Sequence, residues 1–175
     1  MSLHFSLESE TQGRPLRELQ STDNLLVICI RLWAQEHGHF TRTPSAPDWR
    51  SGFKAVGLTL DAERSFHAFL GLIFTACRPA PSVKYYACPI ASRGEYWLLA
   101  CASLAQRQKW TQLDSCLGDR LSQQHRHLAI SLLKNLSHAM LDAGLHLSPP
   151  QNAGSDVPLH IYRSASLAAA SQTLH

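Results

Sequence analysis

Apolar residues recur at three- and four-residue spacing along most of the chain between residues 21 and 145. The clearest segment begins at Thr59 or Asp61, and its apolar positions are Phe66, Phe69, Leu70, Ile73 and Cys77. This spacing places the five side chains on one face of an α-helix. The pattern therefore predicts a helix with one buried face, and it leaves Arg64 and His67 off that face.

Five further segments have helical patterns, over residues 24–38, 48–56, 95–107, 111–117 and 122–143. The run 24–38 is apolar on nearly every side, which predicts a central helix that Gly38 ends. Ser21, Thr22 and Asp23 precede it and offer N-cap side chains. A buried strand is the alternative for this run, because several of its residues are β-branched.

The longest predicted helix, 122–143, has an apolar side and a polar side. Its inward positions are predicted to be Leu128, Ala129, Leu132, Leu133, Leu136, Ala139, Met140 and Ala143. The polar side carries His125, His127, Ser131, Lys134 and His138. We expect this polar side to face solvent.

These elements predict an all-α, single-domain bundle of five or six helices. Apolar residues alternate near both termini, at Leu3, Phe5 and Leu7 and again at Val157, Leu159 and Ile161, so the termini are candidates for a small β-ribbon. The predicted organisation is an N-terminal extension or short strand over 1–20, a helical domain over 21–147 and an extended or partly helical tail over 148–175.

Composition narrows the functional classes. The net charge is +3, and no basic stripe of the kind that nucleic-acid-binding proteins carry is present. The first residues lack the cationic and apolar regions of a signal peptide, and the longest apolar block, 25–33, is far shorter than the roughly 18–20 residues that span a bilayer. We therefore expect a soluble cytoplasmic protein with five reduced cysteines and no membrane partner.

The segment of residues 75–92, called the connector below, joins two strongly apolar helical segments and contains three prolines and two cysteines. Functional residues concentrate on loops that a rigid scaffold positions. Ser92 and Glu95 have the spacing of a capping box, which opens the following helix. The candidate interaction surface is Arg78, Tyr85, Tyr86 and Cys88.

Cys77 and Cys88 are also candidate zinc ligands or a redox pair. Ten residues separate them, whereas recognisable zinc sites pair cysteines at C-x₂₋₄-C spacing. The competing interpretation is that Cys29, Cys77, Cys101 and Cys116 are small buried apolar residues on helix faces. No cofactor is expected under that interpretation, and zinc is the alternative.

The segment 53–66, with Gly57 at its centre, has the outline of a helix-turn-helix. Its second helix is too apolar to lie against phosphates, which disfavours a DNA-binding regulator. No phosphate-binding loop, nucleophile elbow or metalloprotease motif is present, so no catalytic residue is assigned and an enzyme is not the expectation.

The order of an apolar helix, Arg78-Pro79, Cys88-Pro89 and a Ser92-x-x-Glu95 helix start resembles an uncharacterised family of small helical proteins from proteobacteria. The resemblance covers roughly residues 22–145 as an order of elements. It implies a bacterial protein and no particular activity. The connector of that family carries additional histidine and cysteine, which implies a metal site there. This chain has no histidine between His67 and His125.

The sequence thus predicts a non-enzymatic interaction or regulatory protein, which binds a protein partner or associates with itself through a helix face. A metal- or redox-responsive protein that uses Cys77 and Cys88 is the alternative hypothesis.

Overall fold

A computed structural model describes residues 15–39 and 45–150 of the chain. Within these residues the fold is all-α, as predicted, and contains no β-strand. A short 3₁₀ turn, Leu16–Glu18, precedes six α-helices: α1 (Ser21–Glu36), α2 (Trp49–Ala55), α3 (Leu60–Ala76), α4 (Arg93–Gln106), α5 (Trp110–Gly118) and α6 (Gln123–Asp142). The proposed β-ribbon of the two termini lies outside the described residues.

The six helices enclose one hydrophobic core, and α3 with α6 is the most extensive helix pair. The predicted inward face of α3 is buried at every position, from Phe66 to Cys77. The small residues Cys101, Ala102 and Ala105 of α4 are buried as well. Because they have little side-chain volume, they allow α4 to approach its neighbours closely.

Local signals account for most helix ends. Thr59 caps α3 by accepting a hydrogen bond from the amide of Ala62, and Ser122 caps α6 in the same way from His125. Gly57 and Gly144 follow α2 and α6 with φ of 77° and 72°, in the left-handed region that glycine enters without steric cost. These ends agree with the bounds predicted for the segments 48–56 and 122–143, and Thr59 is one of the two predicted starts of α3.

The predicted caps of α1 are wrong. The helix begins at Ser21, and its N-cap is Gln20, which makes no capping bond through its side chain. Asp23 lies inside the first turn, is buried, and accepts a hydrogen bond at Oδ1 from the amide of Ser148 at 3.0 Å. A tertiary partner from the other end of the described chain therefore uses the carboxylate that the sequence assigns to capping.

The inward position predicted for Leu128 is also wrong, since half of this side chain is exposed. The buried face of α6 runs through Ala129, Leu133, Leu136 and Met140. One position along an α-helix turns the side chain by about 100°. Leu128 thus lies just outside the stripe that faces α3 and α4.

The chain after α6 returns to α4. The Gln106 amide donates to the carbonyl of Leu145 at 2.8 Å and accepts from the amide of Leu147 at 2.9 Å. The Ser103 hydroxyl donates to the carbonyl of Ser148 at 2.6 Å. No helix in the described part of the chain is long and apolar enough to cross a membrane.

Candidate functional site

The connector links α3 to α4 without regular secondary structure from residue 77 to residue 92. Cys77 forms the C-cap of α3 and is fully buried, which confirms it as the last core position of that helix. The rest of the connector is held by two charged residues that lie in the core, one on α1 and one on α4.

Arg31 of α1 is completely buried, and acceptors surround its guanidinium group. Nε and Nη2 donate to the two carboxylate oxygens of Glu95 at 2.7 and 2.9 Å, which forms a bidentate ion pair. Nη1 donates to the carbonyls of Tyr86 and Cys88, and Nη2 also donates to the carbonyl of Ile90 at 2.7 Å. All five N–H donors of the guanidinium are therefore used.

Glu95 of α4 is also completely buried, and hydrogen-bond donors surround its carboxylate. Besides the two bonds from Arg31, Oε1 accepts from the amide of Lys84 at 2.8 Å and Oε2 accepts from the amide of Ser92 at 2.7 Å. The second of these bonds completes the predicted capping box. The carboxylate accepts four hydrogen bonds, which matches its lone-pair capacity.

Backbone contacts fix the connector further. The Ser92 hydroxyl donates to the carbonyl of Ser82 at 2.6 Å, and the amide of Leu16 donates to the carbonyl of Pro89 at 2.7 Å. Gly94 lies so close to Ser82 that a Cβ on this glycine would overlap the carbonyl oxygen of Ser82. Glycine is therefore the residue that permits this approach.

We infer that the ion pair specifies one arrangement of the connector. Burying two charges costs free energy, and their mutual attraction offsets that cost only when the remaining donors and acceptors are also satisfied. Here the satisfying groups belong to the connector backbone, so the pair and the connector stabilise each other.

The predicted surface residues have different positions. Arg78 is exposed and donates to the neighbouring carbonyl of Cys77 at 2.8 Å. Tyr85 is 41% exposed, whereas Tyr86 is partly buried against the core, with its ring centroid 4.8 Å from that of Tyr85. Cys88 is partly buried and contributes its backbone carbonyl to Arg31.

Sequence reasoning missed two residues of this site. Arg31 is the single charged residue in the apolar run 25–33, and a charge at such a position requires a buried partner. That signal was available, although the sequence does not show which acidic residue is the partner. Ile90, which is 38% exposed, was missed because the candidate surface was assigned from the arginine, tyrosine and cysteine residues of the connector.

The two cysteines of the connector are free thiols. Burial raises the pKa of Cys77, so this thiol ionises less readily than an exposed one. In residues 15–39 and 45–150 no group of three or more histidine, cysteine, aspartate or glutamate side chains is arranged to hold a metal ion.

A second cluster lies at the end of α1. The Trp33 indole donates to Nδ1 of His67 at 3.0 Å, and the ring of His37 stacks on Trp33 with centroids 4.0 Å apart. The ring centroid of His39 is 4.4 Å from that of Phe74. Desolvation of its ring, followed by the charge of His37, lowers the pKa of His39.

An open groove of about 590 Å³ lies between the first turns of α3 and the last turns of α6. Its lining mixes acidic, basic and neutral polar side chains, among them Asp61, Arg64, Asn135 and His138. No single chemical class of ligand is favoured by that lining.

No protein-family model, curated protein or solved structure matches this chain. The resemblance to the proteobacterial family therefore stays a prediction.

Proposed function

We propose that this protein is a non-enzymatic interaction protein that binds another protein through the connector. The buried Arg31–Glu95 pair carries this proposal, because it holds a segment without regular structure in one arrangement. A segment that is ordered before binding loses less conformational entropy in the complex.

The exposed apolar side chains support the same surface. Among the described residues, the large apolar side chains that are exposed are Leu60, Tyr85, Ile90 and Leu128. Leu60 and Leu128 lie on different helices, near opposite ends of the α3–α6 pair. Tyr85 and Ile90 lie five residues apart on the connector. The connector is therefore a better candidate for the partner-binding surface than the helix face through which the sequence predicts self-association.

Charge narrows the chemistry of the partner. The connector contains Arg78 and Lys84 and no acidic residue, and Arg93 follows it as the exposed first residue of α4. A basic surface with aromatic and aliphatic groups suits a protein surface that presents carboxylates around an apolar side chain. Two connectors facing each other would bring like charges together, so we propose a different protein as the partner and not a second copy.

Site-specific photo-crosslinking tests the proposal. A photoreactive phenylalanine analogue replaces Tyr85, and in a matched control it replaces the exposed Leu128, in the cells that produce the protein. We expect discrete crosslinked species from position 85, their loss with Ile90→Asp, and a decrease with added salt because rim charges steer association.

Equal products from positions 85 and 128, or none from position 85, would overturn the proposal. Light scattering on the purified protein tests the homo-oligomer version separately. A dimer that Ile90→Asp dissociates and Leu128→Asp leaves intact would replace the different partner with a second copy.

A further inference from the structure

Two cysteines outside the connector lie in contact. Cys101 is on α4 and Cys116 is on α5, and their sulfur atoms are 3.7 Å apart. Both are free thiols, and Cys101 is fully buried while Cys116 is partly exposed. The sequence offers no hint of this pair, because fourteen residues separate the two cysteines and each falls on a separate apolar helix.

We propose that Cys101 and Cys116 form a dithiol site that hydrogen peroxide oxidises to an intramolecular disulfide. A disulfide has its sulfurs about 2.0 Å apart, so the observed 3.7 Å requires an approach of only about 1.7 Å. The connection between α4 and α5 is short, which keeps the two helices beside each other throughout the reaction.

The surroundings assign different roles to the two thiols. Hydrogen bonding with Cys101 lowers the pKa of Cys116, and although burial raises this pKa, the Trp97 indole and the guanidinium of Arg120 lower it further. Arg120 is held nearby, stacked 4.7 Å above the ring of Trp97, whose indole donates to the carbonyl of Cys116. Burial raises the pKa of Cys101 well above its ordinary value. Cys116 is therefore the sulfur that reacts first.

The reaction balances with peroxide as the oxidant. The Cys116 thiolate attacks one peroxide oxygen, the O–O bond breaks, and hydroxide leaves as a sulfenic acid forms on Cys116. The sulfur of Cys101 then attacks Sγ of Cys116, the S–O bond breaks, and the hydroxyl group leaves as water with the proton of Cys101. Two thiols lose two electrons and two protons, and one peroxide becomes two waters.

Peptide mapping of the intact protein tests this directly. Trypsin places each of the five cysteines on a different peptide, with Cys101 on 94–107, Cys116 on 110–120 and Cys77 on 65–84. We use Cys88→Ser protein, which removes the partly buried thiol of the connector. After peroxide treatment we expect two thiols to be lost, a disulfide-linked pair 94–107 with 110–120, and return of both thiols with a thiol reductant.

The single variants test the order of events. Cys101→Ser should leave a sulfenic acid on Cys116 that dimedone labels, and Cys116→Ser should prevent the loss of thiols. Cys29, buried with a pKa raised to about 12, is the internal control and should stay unmodified. A link from 65–84 to 94–107, or retention of both thiols, would overturn the proposal. The disulfide-linked peptides are measured in the Cys88→Ser protein, which keeps both Cys101 and Cys116. The proposal is therefore tested even where the Cys101→Ser or Cys116→Ser protein folds poorly. The result does not depend on whether the connector binds a partner.

Discussion

Replacement of Glu95 by glutamine is the sharpest test of how the connector is held. The substitution keeps the shape of the side chain but leaves the buried Arg31 guanidinium without a counter-ion. The new amide nitrogen also faces N–H donors, because every neighbour of the carboxylate donates to it. We therefore expect the loss of the ion pair and of the bonds that one carboxylate oxygen accepts.

The expected magnitude follows from the burial of both partners, whose side chains are 0% exposed. Removing one partner of such a pair costs about 3–5 kcal/mol. Against a total stability of about 5–15 kcal/mol, this is a large fraction. For a chain of this size it corresponds to a decrease in melting temperature of about 6–20 °C.

Urea denaturation followed by tryptophan fluorescence measures the free energy of unfolding. The matched control is Asp61→Asn, which also converts a carboxylate to an amide but breaks an ion pair with Arg64 whose side chains are 71% and 88% exposed. We expect the control to cost less than about 1 kcal/mol. A cost for Glu95→Gln that is no larger than the control would refute the reasoning.

Trypsin reports separately on the connector. The peptide bond after Lys84 is a trypsin site, and the amide of Lys84 donates a hydrogen bond to Glu95. Cleavage after Lys84 should therefore be faster in Glu95→Gln than in the wild type. Replacing both Arg31 and Glu95 with methionine should recover part of the lost stability, because no unpaired charge remains. The recovery should be incomplete, because the amides of Lys84 and Ser92 lose their acceptor. Cleavage should nevertheless stay fast in the double variant, since the carbonyls of Cys88 and Ile90 have lost their donor.

Three further predictions concern single positions. Gly94→Ala should destabilise the protein and expose the connector to trypsin, because the new methyl group would overlap the backbone of Ser82. Gly71→Ala, with open space around the added methyl group within α3, should instead stabilise the protein by about 0.5–1 kcal/mol in urea denaturation. The lowered pKa of His39 means that the unfolded chain binds the proton more tightly. The stability that neutral His39 contributes should therefore be present above the ordinary histidine pKa of about 6.5 and be lost as the pH falls below it. His39→Asn should reduce the difference between the melting temperatures measured above and below pH 6.5.

The helices could be predicted because their signals are local. A buried stripe at 3.6-residue spacing, a Ser-x-x-Glu start or a glycine after the last turn is contained within one element, and its physical effect requires no knowledge of the rest of the fold. The face of α3, the capping box at Ser92 and the C-terminal ends of the helices predicted over 48–56 and 122–143 were correct for this reason.

The candidate site could be located only in part. Proline and cysteine content drew attention to the connector, but the feature that orders it joins residues 64 positions apart. The sequence shows that Arg31 needs an acidic partner and that Glu95 can cap a helix. It does not show that one carboxylate performs both tasks, because that depends on the packing of α1 against α4.

The sequence by itself determined the helical elements, most of their ends and the buried face of α3, since each follows from interactions within a turn or two. The tertiary structure decided which distant groups meet: Arg31 with Glu95, Asp23 with the amide of Ser148, and Cys101 with Cys116. These pairings depend on how the helices pack, and a periodic pattern of apolar residues records which side of a helix is buried but not which helix covers it.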